Sequence, residues 1–533
     1  MKKAILETSQ FALLSLALAT TAFGGLAGPA SAQERALVIA RDMDVNSLDP
    51  ARAWCDTCQI YNTSVYEQLV TLDKDNKIVP LLASSFEANK EQTKFTFKLD
   101  PAAKFSDGSA VEAKDVKWSF ERLKNIKGNG AFLADPITSI ETPDDKTIIV
   151  TLSAPNSEFL NQVSAGFLGI INSDVATENG ALADATAADK DKSENWFLTQ
   201  SAGSGPFVLA SYEPNSELRL KRNPAYWRKA PAVPEIVFRQ VKDAVAQAQM
   251  LQSGSADIAM QIDPETAKTL TGPDVVVEQV PSFNFVYIAL SPGAKANTVK
   301  LTPEVREAIS IAIDRTSLID FTLGGAGRPL ASPVPLGFPG GDGHEIPAYD
   351  VTKAKELLQK AGHENGFTLT SIYPDMNVYG VDFSLMMQKI QQDLSKVGIK
   401  VELSPVPFAN WREAANGDHI PLTAVFFAPD FFGTSQYVDV FGLSSGSVWA
   451  KRAGEATDPS LVNTKTAPLA KQALAASTPE EANKLWFQAA QEMAKDRIII
   501  PMVSPNLILA HSKDVKGLRY SACCNLPLAE LSN

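Results

Sequence analysis

Phe95, Phe97 and Leu99 alternate with Lys94, Thr96 and Lys98, a period of two that predicts a half-buried strand. The β-branched run at residues 147 to 152 predicts another, and between them Val116, Ser119, Phe120 and Leu123 fall at helical spacing. Strands are also expected at 216 to 220 and 235 to 238, on either side of the Asn223-Pro224 break. Residues 301 to 320 predict one helix, with Thr302 as N-cap, Pro303 in the first helical position and Val305, Ala308, Ile309 and Ala312 on one apolar face. Glycines and prolines then crowd residues 324 to 343, a loop long enough to be functional or to bridge domains. A helix at 350 to 361, a strand at 367 to 372, a helix at 381 to 397 and a strand at 399 to 403 follow, and this β-α-β rhythm predicts a second α/β lobe. The last long helix spans 478 to 495, with Glu480 and Glu481 in its first turn and Leu485, Trp486, Ala489 and Met493 in its buried stripe. Strands at 498 to 503 and 507 to 510 come after it, while residues 181 to 195, rich in Ala, Asp and Lys, read as a solvated insertion.

The first residues add an address. Lys2 and Lys3, an apolar run from Phe11 to Phe23 and the triplet Ala30-Ser31-Ala32 have the parts of a secretory signal peptide at 1 to 32, with cleavage expected after Ala32. The run is too short and too rich in small residues for a membrane span, so a periplasmic protein is expected. With 533 residues the chain exceeds one hydrophobic core, and 45% hydrophobic against 21% charged residues is ordinary globular usage. A net charge of −12 argues against a nucleic-acid partner.

Chemistry-bearing motifs are few. Four His are scattered at 344, 363, 419 and 511, with no H-E-x-x-H, no G-x-S-x-G and no phosphate loop, so no enzyme, metal site or cofactor is expected. Cys55 and Cys58 lie early in the chain and Cys523 and Cys524 at its end. An exported protein favours structural disulfides over a zinc site or a redox pair. Each pair closes locally, or the early pair bonds to the late one; the second is preferred, because that link restricts the unfolded chain most.

Longer stretches carry a resemblance. Tyr66-Glu67-Gln68-Leu69-Val70, Asn76-Lys77-Ile78-Val79-Pro80-Leu81-Leu82-Ala83, and Lys104-Phe105-Ser106-Asp107-Gly108-Ser109 with Ala113-Lys114-Asp115-Val116 come first. Gly203-Ser204-Gly205-Pro206-Phe207, Arg222-Asn223-Pro224-Ala225-Tyr226-Trp227, Ser253-Gly254-Ser255-Ala256-Asp257-Ile258, Val305-Arg306-Glu307-Ala308-Ile309 and Lys396-Val397-Gly398-Ile399 follow in order. In their number and order these resemble the family 5 extracellular solute-binding proteins of ABC importers, the peptide and nickel class, with Ser106 standing where that family usually carries His.

The resemblance implies an α/β, two-lobe periplasmic-binding-protein fold of type II. Lobe one would hold 33–290 and 506–533, with an extra subdomain near 76–200, and lobe two 291–505. It implies a monomer that encloses a peptide or peptide-like solute between the lobes and delivers it to the permease subunits of an ABC transporter. Other solutes (an opine, an oligosaccharide, a metal chelate), a sensory role, and a redox protein using Cys55 and Cys58 are the alternatives.

By the same resemblance Asp430 meets the ligand's ammonium, with Phe427 three residues ahead, although Gly433-Thr434 stands where an Asp-Pro often follows. Trp411 would line the cleft, Phe431 would belong to an aromatic wall with Phe426, Phe427, Phe432, Tyr437 and Trp449, and Trp54 with the Cys55–Cys58 loop would approach it. The competing role is a solvated loop acid or turn cap for Asp430, core packing for Trp411 and the aromatic run, and stabilisation alone for the Trp54 loop; Trp118, Tyr226 and Trp227 are assigned to packing outright.

Overall fold

Two sheets joined through one strand organise the chain in the computed structural model, which describes residues 35–417, 419–522 and 526–533. The expected leader at 1 to 32 and the late pair Cys523 and Cys524 lie outside the described residues. In lobe one, Leu37–Arg41 runs parallel to Glu235–Gln240 on one side and Ile258–Ala259 on the other. Glu217–Arg222 and Phe207–Glu213 extend that sheet antiparallel. In lobe two, Phe367–Pro374 lies parallel to Ile399–Val406 and Leu422–Phe427, and Phe285–Leu290 pairs antiparallel to the latter.

The shared strand is Ile499–Ser512. Its first residues pair with Phe285–Leu290 in lobe two, and residues 506 to 512 pair with Val275–Pro281 in lobe one. The chain therefore crosses between the lobes at two adjacent places, between Pro281 and Phe285 and again near Pro505. Phe285–Leu290, buried at every position, pairs with Leu422–Phe427 and with the start of Ile499–Ser512. The two expected strands at 498 to 503 and 507 to 510 are one: Pro505, which cannot donate to a ladder, falls where the strand changes partner.

A separate antiparallel sheet, in the order Ala83–Ala88, Lys94–Leu99, Thr147–Leu152, Ile137–Asp144, forms the subdomain. Helix Ala113–Ile126 buries Val116, Phe120 and Leu123 in one cluster with Phe95, Phe97, Ile148 and Val150. Burying each such side chain is worth about 1.5–3 kcal/mol.

Two expectations fail for local reasons. The helix at 301 to 320 is two, Pro303–Ile311 and Arg315–Leu323, because the Asp314 side chain accepts from Ser317 N and starts a new helix. The stretch at 181 to 195 is more than a solvated insertion: although residues 184, 185 and 188 to 190 are exposed, the Asp191 side chain and Ser193 are shielded and bind the Arg122 guanidinium. Among the described residues no helix is long and apolar enough to cross a membrane.

Gly203 fixes the seam between helix Asp56–Val65 and the strand Phe207–Glu213. A Cβ there would collide with the Val65 carbonyl oxygen. Gly203→Ala is expected to destabilise lobe one by about 1–3 kcal/mol, the usual cost of overpacking, read as a lower melting temperature. An unchanged melt would show that the seam yields.

Candidate ligand-binding cleft

Strand Leu422–Phe427 ends at the mouth of the lobe-two sheet, and the loop beyond it carries Asp430. Such a crevice outside the carboxyl ends of strands is where α/β sheets hold ligands. The loop is folded around Gln436, a buried amide. Gln436 accepts from Asp430 N at 2.8 Å, and its Nε2 donates to the carbonyls of Phe431 at 2.6 Å and Gly433 at 2.8 Å. No motif marks Gln436 in the sequence, and its role is visible only once the loop is seen closing on it.

The Asp430 carboxyl, part-exposed but deep in the molecule, has no hydrogen-bond or ion-pair partner among the described residues. Burial, with the negative charge of Asp56 adding to it, pushes its pKa up to about 8. Beside it Tyr437 is fully buried, with a hydroxyl that has no hydrogen-bond partner among the described residues. Burial first, then Tyr520 and Asp430, push that phenol well above its ordinary value. Its ring packs against Phe427, Phe285 and Phe338.

Asp56 comes from lobe one, at the start of helix Asp56–Val65. Asp44 holds that helix end, accepting from Asp56 N at 2.9 Å, Thr57 N at 2.9 Å and Thr57 Oγ1 at 2.6 Å. Burial raises the Asp44 pKa, but Arg41 and these donors outweigh it and hold the carboxyl below its ordinary value. Cys55 is the N-cap, and its sulfur accepts from Cys58 N.

Cys55 and Cys58 are disulfide-bonded to one another, with Cα atoms 4.9 Å apart. This corrects the preference for a link to the C-terminal pair: a cap residue and the third residue of the helix sit on one side of the first turn, within bonding reach. The local bridge brackets Asp56.

Facing Asp56 across the cleft is Tyr379, which the sequence reading missed. It forms the tip of a hairpin between Asn377–Val378 and Val381–Asp382, with φ 55° followed by Gly380 at 84°. Left-handed backbone is uncommon for a bulky residue and is what a tight two-residue hairpin turn requires. From there the Tyr379 hydroxyl donates to Asp56 Oδ2 at 3.4 Å, and its ring meets Phe426 edge-on at 5.8 Å.

The remaining expected site residues are distributed differently. Phe427 is half-buried and packs edge-on against Tyr437 and Phe441. Phe431, 1% exposed, is inserted into the apolar cluster of the lobe-one subdomain. Trp411 is buried in lobe two, where its Nε1 donates to Thr423 Oγ1 at 2.8 Å, its ring stacks on Phe408 and Arg452 lies over it. Trp54 stacks on Phe167 at 4.7 Å. Tyr226 and Trp227 both donate to the buried carboxylate of Glu67, at 2.9 and 2.8 Å, a polar duty beyond packing. Among the described residues no group of three His, Cys, Asp or Glu is placed to hold a metal.

The arrangement is suited to a cation flanked by rings: two carboxyls from opposite lobes, phenols, and a floor of Phe side chains. The glutathione-binding protein GsiB of Pectobacterium atrosepticum is 30% identical over 394 residues, 73% of this chain and 72% of its own. The probable D,D-dipeptide-binding periplasmic protein DdpA of Escherichia coli K12 is 28% identical over 493 residues, 91% of each chain. The periplasmic binding protein DppA of Helicobacter pylori, solved with the peptide STSA, superposes with a TM-score of 0.76 over 93% of this chain and 98% of its own, at 23% identity, which shows a shared fold. Residues 77–449 match the model of the bacterial extracellular solute-binding proteins, family 5, and the chain belongs to that family.

Proposed function

We propose that the protein captures, in the periplasm, a peptide or peptide-like solute with a free ammonium group between its lobes and delivers it to the permease of an ABC importer. The observation that carries this reading is the Asp430 carboxyl, set deep in the cleft with a second acid nearby and, among the described residues, no cation to answer it. An ammonium placed there gains a charge-assisted hydrogen bond in a site where water no longer screens the pair. Phe427 and Tyr437 supply faces that cover a side chain without selecting its identity. The relatives are named for glutathione and D,D-dipeptides, which share peptide bonds and a free amino group. In this reading Trp411 and Phe431 pack the scaffold, and Trp54 with the disulfide shapes the loop that presents Asp56. Calorimetry against short peptides with free and N-acetylated amino termini tests it. Equal binding of both forms would remove the anchor.

The raised pKa gives the reading a proton signature. A bound ammonium stabilises ionised Asp430, so the pKa is about 8 in the free protein and lower in the complex. Affinity should therefore strengthen as pH rises from about 6 to 8, by up to roughly tenfold per unit, and binding at pH 7 should release a proton. Titrations in phosphate and in Tris should differ in apparent enthalpy. Identical enthalpies would mean that Asp430 does not change protonation.

A further inference from the structure

The segment that carries Asp430 is also the place where lobe two grips lobe one. Three residues past Asp430, the chain turns at Gly433 into the helix Ser435–Phe441. The Thr434 and Ser435 amides reach across to the other lobe: Thr434 N donates to Glu158 Oε1 at 2.7 Å and Ser435 N to Glu158 Oε2 at 3.0 Å. Glu158 belongs to the lobe-one subdomain and is buried. Burial pushes its carboxyl up to about 7, against the lowering effect of the Ser435 and Thr434 donors.

Glu158 is held in position before it meets lobe two. Asn156 Oδ1 accepts from Glu158 N at 3.1 Å, Asn156 Nδ2 donates to Gln162 at 2.9 Å, and Asn156 N donates to the Gln92 carbonyl. Next to it Ser157 N donates to the Leu474 carbonyl of lobe two at 2.9 Å. On the other side, Thr434 Oγ1 donates to the Pro339 carbonyl, which ties the receiving amides to the Gly/Pro-rich loop of lobe two. Phe431 enters the subdomain core beside this contact. Gly433 makes the approach feasible, since a Cβ there would stand 2.6 Å from Glu158 Oε2 and collide with the Phe431 ring.

We infer that Glu158 is a positioning residue and closing latch: by capping the Thr434–Ser435 amides across the cleft it draws the ligand-free protein toward the shut form and shapes the Asp430 loop as it does so. Four of the six residues from Asp430 to Ser435 contribute to that grip or to its fit, so shutting the lobes and building the anchor are one event. The latch acts on the shape of the protein and goes beyond the proposed choice of ligand.

Small-angle scattering and hydrogen exchange on the ligand-free, full-length mature protein test it. In the wild type the Thr434 and Ser435 amides should be protected and the radius of gyration should match the shut form. In Glu158→Ala those amides should exchange at least tenfold faster, and the radius should increase. Glu158→Gln, which keeps one acceptor, should fall between the two, and Gly433→Ala should resemble Glu158→Ala. Circular dichroism and a melt check that each variant is folded. Asp430→Asn should stay shut while losing ligand, so the latch and the ligand reading stand or fall separately. A wild type that is open without ligand, or folded Glu158→Ala with unchanged exchange and radius, would overturn the inference.

Discussion

Asp430→Asn is expected to weaken binding of an ammonium-bearing peptide by about 30-fold to more than 1,000-fold, the range that corresponds to the ~2–5 kcal/mol lost when one partner of a buried charge pair is removed. The same substitution should stabilise the empty protein. A carboxyl whose folded pKa is raised from 3.8 to about 8 binds protons more tightly folded than unfolded, so its presence costs stability once the pH exceeds the unfolded value, increasingly up to about 8. The variant's gain in melting temperature should thus be absent near pH 4 and grow toward pH 8. Opposite signs on affinity and stability are the mark of a group kept for binding rather than for folding. Isothermal titration and thermal melts at three pH values measure both. A variant that loses affinity and also loses stability at every pH would make Asp430 a structural residue.

The division of labour around Asp430 explains what was legible in the sequence. Local periodicity sufficed for the subdomain strands, where Phe95 and Phe97 alternate with polar neighbours, and for the second β-α-β unit. Family stretches spread along the chain pointed to the solute-binding family. Neither signal says which residues meet across a cleft. Asp56 and Tyr379 are 323 positions apart and meet only in the folded structure. Tyr379-Gly380 lacks the Asn-Gly signature of a tight hairpin, so the turn that aims the phenol was silent. The aromatic run from Phe426 to Phe432 alternates in destination: Phe427 stays with lobe two, whereas Phe431 packs into lobe one, a distinction that composition does not encode. The disulfide preference failed for a related reason, since loop entropy concerns the unfolded chain and the bond formed where the helix cap already brought two sulfurs together.

The largest effect on stability is expected at Arg122, where the apparent insertion at 181 to 195 turned out to hold the core. The side chains of Arg122, Asp49 and Asp191 are all shielded from solvent. The guanidinium donates both Nη atoms to Asp49 at 2.6 Å, and Nη2 also reaches Asp191 and the Ser193 hydroxyl at 3.1 Å, with the rings of Trp118 and Phe197 on its faces. Arg122→Met fits the apolar walls but leaves the two carboxylates with the part-exposed Arg52 as their one cation among the described residues, a loss of about 3–5 kcal/mol for a broken buried pair. Arg122→Lys should recover little, because an ammonium cannot reproduce the two-pronged bond to Asp49. Burial raises the Asp191 pKa, but Arg122 and the hydrogen bonds to Leu182 and Ser193 outweigh it and hold the value below 3.8. That part of the stability is present above pH about 4 and disappears as the pH falls through the depressed value, so wild type and variant should converge in acid. Asp49 also accepts from Ala51 N and, through its carbonyl, from Arg52 and Ala53, folding the turn that leads to Trp54 and Asp56. Denaturant titration of Arg122→Met should therefore show lower stability, and calorimetry well below its melting point should show weaker ligand binding too. Full affinity in a destabilised variant would mean that the Cys55–Cys58 bridge holds Asp56 in place without help from the core.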